Sequence, residues 1–296
     1  MAGTMNARGH IHECIPLLLT VVLLAVGTID SGVRAQSSKL RVLFYGYVET
    51  KPHVAFGIID ADRVSDVEDV PFLRHGAEIS PDGRLVAFDT CRKADRGLNI
   101  AHIDGSDERR LVDLDGDSCV DIRWSRDGTR LSYGSPIDRR LHIVELGSGA
   151  DIPLQYTSPA YGWHTWSPAG DAIAYEVGRG GSRRIDVIDI STQETRELIG
   201  KKQFGTCEVW APDWSPANDR IVFTTCRRDL YVVNIDGTGL SRLAESAYAP
   251  RWAPDGTSVY FLTGNRLMRV SASGGAVQRL GVSPYFGGPF SIGPAQ

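Results

Sequence analysis

The sequence predicts an all-β fold: a six-bladed β-propeller of four-stranded blades, closed by the C-terminal strand joining the N-terminal blade. Three observations carry this expectation: a recurring tetrad, a fixed order of strand-like runs after it, and complementary part-repeats at the two ends. The tetrad appears as Ser80-Pro81-Asp82-Gly83, Ser125-Arg126-Asp127-Gly128, Ser167-Pro168-Ala169-Gly170, Ser215-Pro216-Ala217-Asn218 and Ala253-Pro254-Asp255-Gly256. Trp124, Trp166, Trp214 and Trp252 stand before the last four copies, and successive copies are 45, 42, 48 and 38 residues apart. That period suits one propeller blade.

Each repeat reads as strands B, C, D and A in turn. The B runs are Leu85-Val86-Ala87-Phe88, Leu131-Ser132-Tyr133, Ile173-Ala174-Tyr175, Ile221-Val222-Phe223 and Val259-Tyr260-Phe261, short and rich in β-branched and aromatic residues. The C runs follow about ten residues later (98–103, 141–146, 185–190, 230–235 and 267–270), and two of them end in Asp104-Gly105 and Asp236-Gly237. Asp and Gly tolerate the left-handed geometry of a tight hairpin. The D runs close on Leu111, Leu154, Leu198, Leu243 and Leu280, and the A runs lead into the next Trp.

Before the first tetrad, residues 40–72 supply B-, C- and D-like runs without an A strand, while Ser291-Ile292-Gly293-Pro294 aligns with Glu78-Ile79-Ser80-Pro81. The expectation is that a strand over 285–292 completes the blade begun at Leu40, leaving no unpaired edge.

Residues 1–35 fall outside the repeat. Arg8 precedes an apolar stretch, Ile15 to Val26, and Val33-Arg34-Ala35 offers a small-x-small cleavage site before Gln36. This is the layout of a secretory signal, too short to span a bilayer, although a retained anchor is the alternative. The expected organisation is a signal over 1–35, a single propeller domain over 36–296, and a periplasmic or secreted location. Four cysteines remain after the signal, an even number that favours disulfides in an exported chain. Cys91 and Cys226 each end a B run, and Cys119 and Cys207 each begin an A run, on the same face of the disc. The repeat therefore pairs Cys91 with Cys119 and Cys207 with Cys226, since bridging Cys91 to Cys226 would cross the ring. Zinc is the competing reading, but no CxxC or clustered Cys/His spacing is present.

The tetrads with their apolar runs, as in Ser80-Pro81-Asp82-Gly83-Arg84-Leu85-Val86-Ala87-Phe88, and the Asp-Gly turns after Ile103 and Ile235, resemble the propeller repeats of the TolB family of the Tol-Pal system. The resemblance covers about residues 40–296. It implies a non-catalytic propeller that binds a protein partner at one mouth of the ring. TolB carries an α/β domain before its propeller, and here the first blade follows the leader almost directly. Similar blades occur in prolyl-oligopeptidase-like peptidases and in some carbohydrate-active enzymes.

No Gly-x-Ser-x-Gly, His-Glu-x-x-His or Walker motif is found, so no catalytic residue, metal or cofactor is expected. Asp113, Asp115 and Asp117 alternate as calcium ligands do, but Ser118 replaces the EF-hand glycine and Trp124 its bidentate Glu, which reads better as an acidic turn. The anchor tryptophans recur at one repeat position, as packing between blades requires. Trp163 and Trp210 occupy no repeat slot. With Tyr161, His164 and Tyr248 they make a candidate aromatic mouth.

The net charge is −4. The B–C connections nevertheless collect twelve basic residues against four acidic ones, among them Arg139, Arg140, Arg183, Arg184, Arg227 and Arg228. Such a face would steer an acidic or peptidic protein partner. Nucleic acid is disfavoured by export and by the acidic total, and a monomer is expected. The alternative function is a carbohydrate-active lyase or hydrolase with a funnel histidine as base; a plain scaffold is the third.

Overall fold

The computed structural model describes residues 39–48, 51–60, 63–69, 75–90, 96–114, 120–135, 137–155, 162–178, 183–264, 266–282 and 290–294. By contacts the chain divides into Met1–Ser38 and Lys39–Gln296. The expected signal lies in the first unit, outside the described residues.

The second unit is an all-β propeller. It begins with β1 (Leu40–Val48), β2 (Lys51–Asp60) and β3 (Arg63–Asp69). Five sets of four follow. The first is β4 (His75–Ile79), β5 (Leu85–Asp89), β6 (Gly97–His102) and β7 (Arg109–Asp113); the second is β8 (Ile122–Trp124), β9 (Arg130–Gly134), β10 (Leu141–Glu145) and β11 (Asp151–Pro153). The third is β12 (His164–Trp166), β13 (Ala172–Val177), β14 (Arg184–Asp189) and β15 (Thr195–Ile199). The fourth is β16 (Val209–Trp214), β17 (Arg220–Thr225), β18 (Leu230–Asn234) and β19 (Ser241–Ala244); the fifth is β20 (Tyr248–Trp252), β21 (Ser258–Thr263), β22 (Arg266–Ser271) and β23 (Gln278–Val282), and β24 (Phe290–Pro294) ends the series.

The expectation of a six-bladed propeller is corrected by this topology to five blades of four strands. Five blades are built from four consecutive strands each, β4–β23; the remaining four-stranded sheet, ordered β24-β1-β2-β3, is a composite of both ends. Turn chemistry is the reason. A tetrad joins the first and second strands of each contiguous blade, whereas the composite sheet takes its first strand from residues 290–294 and its second from residues 40–48, far apart in sequence. In it β24 runs antiparallel to β1, with Val42 opposite Ile292 and Phe44 opposite Phe290.

The tetrad holds its blade through one buried hydroxyl. Ser125 Oγ donates to Asp127 Oδ1 at 2.6 Å and accepts the Arg130 N–H at 2.9 Å, tying turn to B strand. Ser80 does the same with Asp82 (2.6 Å) and the Leu85 N–H (2.9 Å). Where the third tetrad position is Ala, the carboxylate has moved two residues on: Ser167 uses Asp171 and Ser215 uses Asp219, both at 2.6 Å. The fourth tetrad position needs positive φ, filled by Gly in four copies and by Asn218 (φ 62°) in one.

Apolar clusters fill the spaces between neighbouring sheets. Ile122, Trp124 and Leu131 pack on Ala87, Leu98 and Ile100, and Trp214, Ile221 and Phe223 pack on Ala174, Ile185 and Val187. The anchor indoles sit in these interfaces. Trp124, Trp166 and Trp252 donate their N–H groups to the backbone carbonyls of Glu78 (3.0 Å), Arg123 (3.2 Å) and Asp213 (3.0 Å), each on the preceding inner strand. Inner strands are thereby laced to one another around the channel. A one-turn helix, Lys201–Phe204, lies in the connection before β16, and Phe204 stands edge-on to Phe223.

Candidate functional site

Alternation along a strand sends successive side chains to opposite sides. With the anchor residue turned into the blade interface, the residue before it faces the channel. Those residues are Glu78 on β4, Arg123 on β8, Thr165 on β12, Asp213 on β16, Arg251 on β20 and Ser291 on β24. The order acid, Arg, hydroxyl thus occurs twice around the ring.

The bonding repeats as well. Arg123 Nε donates to the His164 carbonyl (2.9 Å) and Nη1 to that of Ile122 (3.0 Å); Arg251 does likewise to Phe290 (3.1 Å) and Pro250 (3.1 Å). Ser291 Oγ accepts the N–H of Ile79 at 3.1 Å, as Thr165 Oγ1 accepts that of Trp214 at 3.3 Å. The local sequence explains how Asp213 and Arg251 come to face inward. Trp210-Ala211-Pro212-Asp213 and Tyr248-Ala249-Pro250-Arg251 each carry a register break, with Ala211 (φ 54°) and Ala249 (φ 51°) left-handed. Such bulges re-aim the side chains that follow. Proline suits them because it has no ladder N–H to lose. The N–H of Ala211 is taken up at 2.7 Å by the Glu176 carboxylate from the preceding blade.

Burial dominates the electrostatics. It pushes the Glu78 carboxyl up to about 7 against the pull of Arg123 and Arg251. It raises Asp213 too, and it raises Glu176 to about 7 although the Ala211 N–H and Arg183 oppose this. Asp121 ends below the ordinary carboxylate range, because Arg123, His164 and Arg251 together outweigh its burial. Arg251 is lowered by burial and by Arg123; Arg123, equally buried, is raised by Asp121 and Glu78. The contacts are Arg123 to Asp121 (3.0 Å) and Glu78 (3.5 Å), and Arg251 to Asp213 (3.9 Å).

Above this ring a cavity of about 310 Å³ opens on the face of the tetrad turns. Its rim is the second tetrad position, Pro81, Arg126, Pro168, Pro216 and Pro254; its wall is Ile79, Ile292 and the four anchor tryptophans; its floor is Glu78, Arg123, Thr165, Asp213 and Arg251. Arg126 replaces the proline of the other repeats, and its Nη2 reaches the Pro254 carbonyl at 3.5 Å, from the second blade to the fifth. The guanidinium lies across the mouth.

The residues expected to form a site on the B–C face are placed differently from one another. Trp163 packs against the cluster of Ala249, Leu262 and Phe290 beside Tyr248, its ring centre 5.7 Å from the Arg251 guanidinium carbon. It enters from the third blade and meets side chains of the fifth, so it fills the channel from that side. Gly162 permits this, because a Cβ there would stand 2.5 Å from that of Glu176. Tyr248 donates its hydroxyl to the Gly264 carbonyl, and Trp210 is half-buried on β16. His164 is buried on β12. Tyr161 lies outside the described residues.

Arg139, Arg140, Arg227 and Arg228 sit exposed on hairpin tips, away from the cavity. Arg183 stands 3.9 Å from Glu176, and Arg184 is held by Asp186 through two bonds of 2.7 and 2.9 Å. Arg96, which also stands in a B–C connection, is buried against Asp89 at 2.9 Å. Cys207 and Cys226 form a disulfide with a Cα separation of 5.4 Å. Cys91, Cys119, Asp115 and Asp117 lie outside the described residues; Asp113 pairs with Arg110 at 2.8 Å.

One constellation escaped the sequence reading. Ser132 Oγ is 2.8 Å from His164 Nε2, and His164 Nδ1 is 3.2 Å from Asp121. The order matches a nucleophile, base and orienting acid, but Ser132 and His164 are both 0% exposed, so no substrate reaches the hydroxyl. The charged ring was missed too, although the polar residue before each anchor, in an otherwise apolar run, was its signal. Among the described residues no group of three His, Cys, Asp or Glu is placed to hold a metal.

No family model matches the chain. The uncharacterized protein Atu1656 of Agrobacterium fabrum is 33% identical over 130 residues, 42% of this chain and 42% of its own length, so less than half of that relative is matched. A structure of the nidogen/laminin complex superposes with a TM-score of 0.64 at 10% identity, covering 86% of this chain and 98% of the other. A protein of Agrobacterium tumefaciens described as TolB gives 0.63 at 20% identity (82% and 88%), and TolB of Acinetobacter baumannii gives 0.56 at 14% (83% and 69%). Kuenenia stuttgartiensis hydrazine synthase shares the fold at 0.55 and 15% (78% and 76%). These likenesses establish a TolB-like β-propeller fold; since one neighbour is an enzyme, fold alone does not separate binding from catalysis.

Proposed function

We propose that the chain is an exported, non-catalytic TolB-like binding module that holds a segment of a protein partner in the funnel on its tetrad-turn face. The observation that carries this reading is the cavity itself: a concave, Trp- and Pro-lined mouth over a polar floor, on a rigid ring. The inaccessible Ser132–His164 pair supports a binding role over hydrolysis. The Cys207–Cys226 bridge supports an oxidising, extracytoplasmic location, as the leader-like N-terminus does.

The test is capture of a partner from the native host's envelope fraction by wild type, by a rim-blocked variant (Pro168→Trp with Pro216→Trp), and by a variant of the opposite face (Arg227→Glu with Arg228→Glu). Loss of a wild-type partner in the rim variant alone is expected. Loss in the arginine variant alone would move the binding face to the B–C hairpins and overturn the funnel reading.

A further inference from the structure

Two of the interfaces between blades share a device that a third lacks. Arg130, the first residue of β9, holds its guanidinium carbon 4.7 Å from the ring centre of Trp166, the anchor of the next blade, and donates Nη2 to the Gly170 carbonyl at 2.7 Å. Arg220, the first residue of β17, stands likewise 5.1 Å from the Trp252 ring and donates Nη1 to the Ala272 carbonyl at 3.1 Å. The first residue of β13 is Ala172. The three positions are equivalent, because the carbonyl of each accepts the N–H of its tetrad serine: Arg130 from Ser125 (2.9 Å), Ala172 from Ser167 (2.8 Å) and Arg220 from Ser215 (2.8 Å). The next anchor after Ala172 is Trp214, and a cavity of about 420 Å³ lies between the third and fourth blades, lined by both residues.

This cavity is not the funnel: among the described residues the two share only Trp214. Its charge suits a cation. Asp171, Asp189 and Glu194 line it against Arg196, three carboxylates to one guanidinium, a net −2. Asp189 is the cross-strand partner of Ala172, as Glu145 is of Arg130, so an acid stands opposite the position in both blades. Asp171 and Asp189 each accept a serine hydroxyl on Oδ1, at 2.6 and 2.7 Å, a use of one oxygen that leaves the charge in place. Arg196 is spent elsewhere. From β15 its Nη2 reaches the Ile235 carbonyl at 2.7 Å, and Ile235 corresponds to Ala272, since each sends its N–H to the residue before its blade's B strand, Asp219 and Thr257, at 2.9 Å. The tie between blades that Arg220 makes through Ala272 is thus made here from the outer strand, and the place beside Ala172 is not needed for it.

We propose that this cavity binds an arginine side chain of a protein partner, its guanidinium stacked on the Trp214 indole as Arg130 and Arg220 stack on Trp166 and Trp252, with the carboxylates of Asp171, Asp189 and Glu194 around it. The chain itself fills the equivalent place twice with arginine, which identifies the group that the geometry accepts. A guanidinium is planar and weakly hydrated, so it lies on an indole face and still directs N–H donors sideways to carboxylates; an ammonium is a compact, strongly hydrated point charge. The site goes beyond the funnel reading and does not depend on it.

The experiment is NMR titration of the full chain, followed at the Trp214 indole and Ala172 amide resonances, with the blocked pentapeptide Gly-Ser-Arg-Ser-Gly and its counterparts bearing citrulline or lysine at the centre. The arginine peptide is expected to shift both resonances, to bind about fivefold tighter than either counterpart, and to weaken as salt is raised. Ala172→Arg, which supplies the guanidinium from within the chain, is expected to abolish the response and to raise Tm by about 2–4 °C, the effect of one cation–π contact in a chain of this size. Citrulline binding as tightly as arginine overturns the need for charge, and with it the proposal. Lysine binding as tightly overturns the stacked guanidinium. No shift with any peptide, or an undiminished response in Ala172→Arg, overturns the site itself. None of these outcomes bears on the funnel, which the rim variants test separately.

Discussion

Removing one hydroxyl from a tetrad, and adding one to the tetrad that lacks it, tests whether a buried serine holds each blade together. Ser215 is 1% exposed; its Oγ donates to Asp219 Oδ1 at 2.6 Å and receives the N–H groups of Arg220 (3.1 Å) and Asp219 (3.2 Å). Ser215→Ala removes a charge-assisted bond and leaves the Arg220 N–H without its side-chain acceptor, at a combined cost of about 2–4 kcal/mol. At roughly 2–4 °C per kcal/mol for a chain of this size, a loss of about 3 kcal/mol lowers Tm by about 6–12 °C.

The converse substitution is Ala253→Ser. The backbone at 253 already has the serine geometry, its N–H reaching the Ser258 carbonyl at 2.8 Å as that of Ser215 reaches Arg220. Asp255 Oδ1 already accepts the Thr257 N–H and hydroxyl at 2.9 Å, just as Asp127 Oδ1 serves Thr129 in the second blade. The new hydroxyl should therefore bind Asp255 as Ser125 binds Asp127 and stabilise by about 1 kcal/mol. Urea and thermal unfolding give both numbers. Acid adds a third readout: the Ser215 hydroxyl is the main cause of the lowered Asp219 pKa, so this stabilisation is present above about pH 4 and fades as pH falls through the folded value. The gap between wild type and Ser215→Ala should narrow below pH 4. A Ser215→Ala protein within 0.5 kcal/mol of wild type, or a destabilised Ala253→Ser protein, would refute the reasoning.

Two further outcomes follow from side chains outside the funnel. His142 places Nδ1 on Asp151 (2.9 Å) and Nε2 on Asp138 (3.0 Å); burial acts to lower its pKa, but these two carboxylates raise it above 6.5. The imidazolium's stabilisation is thus present below about pH 6.5 and lost as pH rises through the folded value. Imidazole NMR should give a midpoint above 6.5 that Asp151→Asn brings down, and a wild-type midpoint at or below 6.5 would contradict the ion pairs. The Cys207–Cys226 bridge spans 19 residues, so Cys207→Ser with Cys226→Ser should cost about 3 kcal/mol in denaturant unfolding, and a cost under 1 kcal/mol would contradict the loop-closure account.

Much of the fold was legible because the tetrad is a local device. Ser, Pro, Asp and Gly build a turn whose contacts lie within five residues, so the spacing of Ser80, Ser125, Ser167 and Ser215 marks where strands must turn back. The Cys207–Cys226 pair was legible for the same reason, since both residues belong to one hairpin. The funnel was less so. Aromaticity drew attention to Trp163 and Tyr248, which pack as channel filling, whereas Glu78, Arg123, Asp213 and Arg251 come together from four different blades. Their convergence depends on ring closure and on the bulges at Ala211 and Ala249. The B–C arginines were over-read in part: a cation on a hairpin is solvated at Arg227 but buried against a carboxylate at Arg96, and hairpin position alone does not tell them apart.

The pairing of β24 with β1 has a consequence for how the protein comes into being. The strand opposite Leu40–Phe44 is supplied by residues 290–294, so a chain growing from its N-terminus carries an open strand edge until those residues have been made. The contiguous blades can form one after another as they emerge, each from neighbours in sequence. The ring cannot. Its final bond network waits for residues made some 250 positions later, making closure a late step and the interval before it the time of greatest exposure to mispairing.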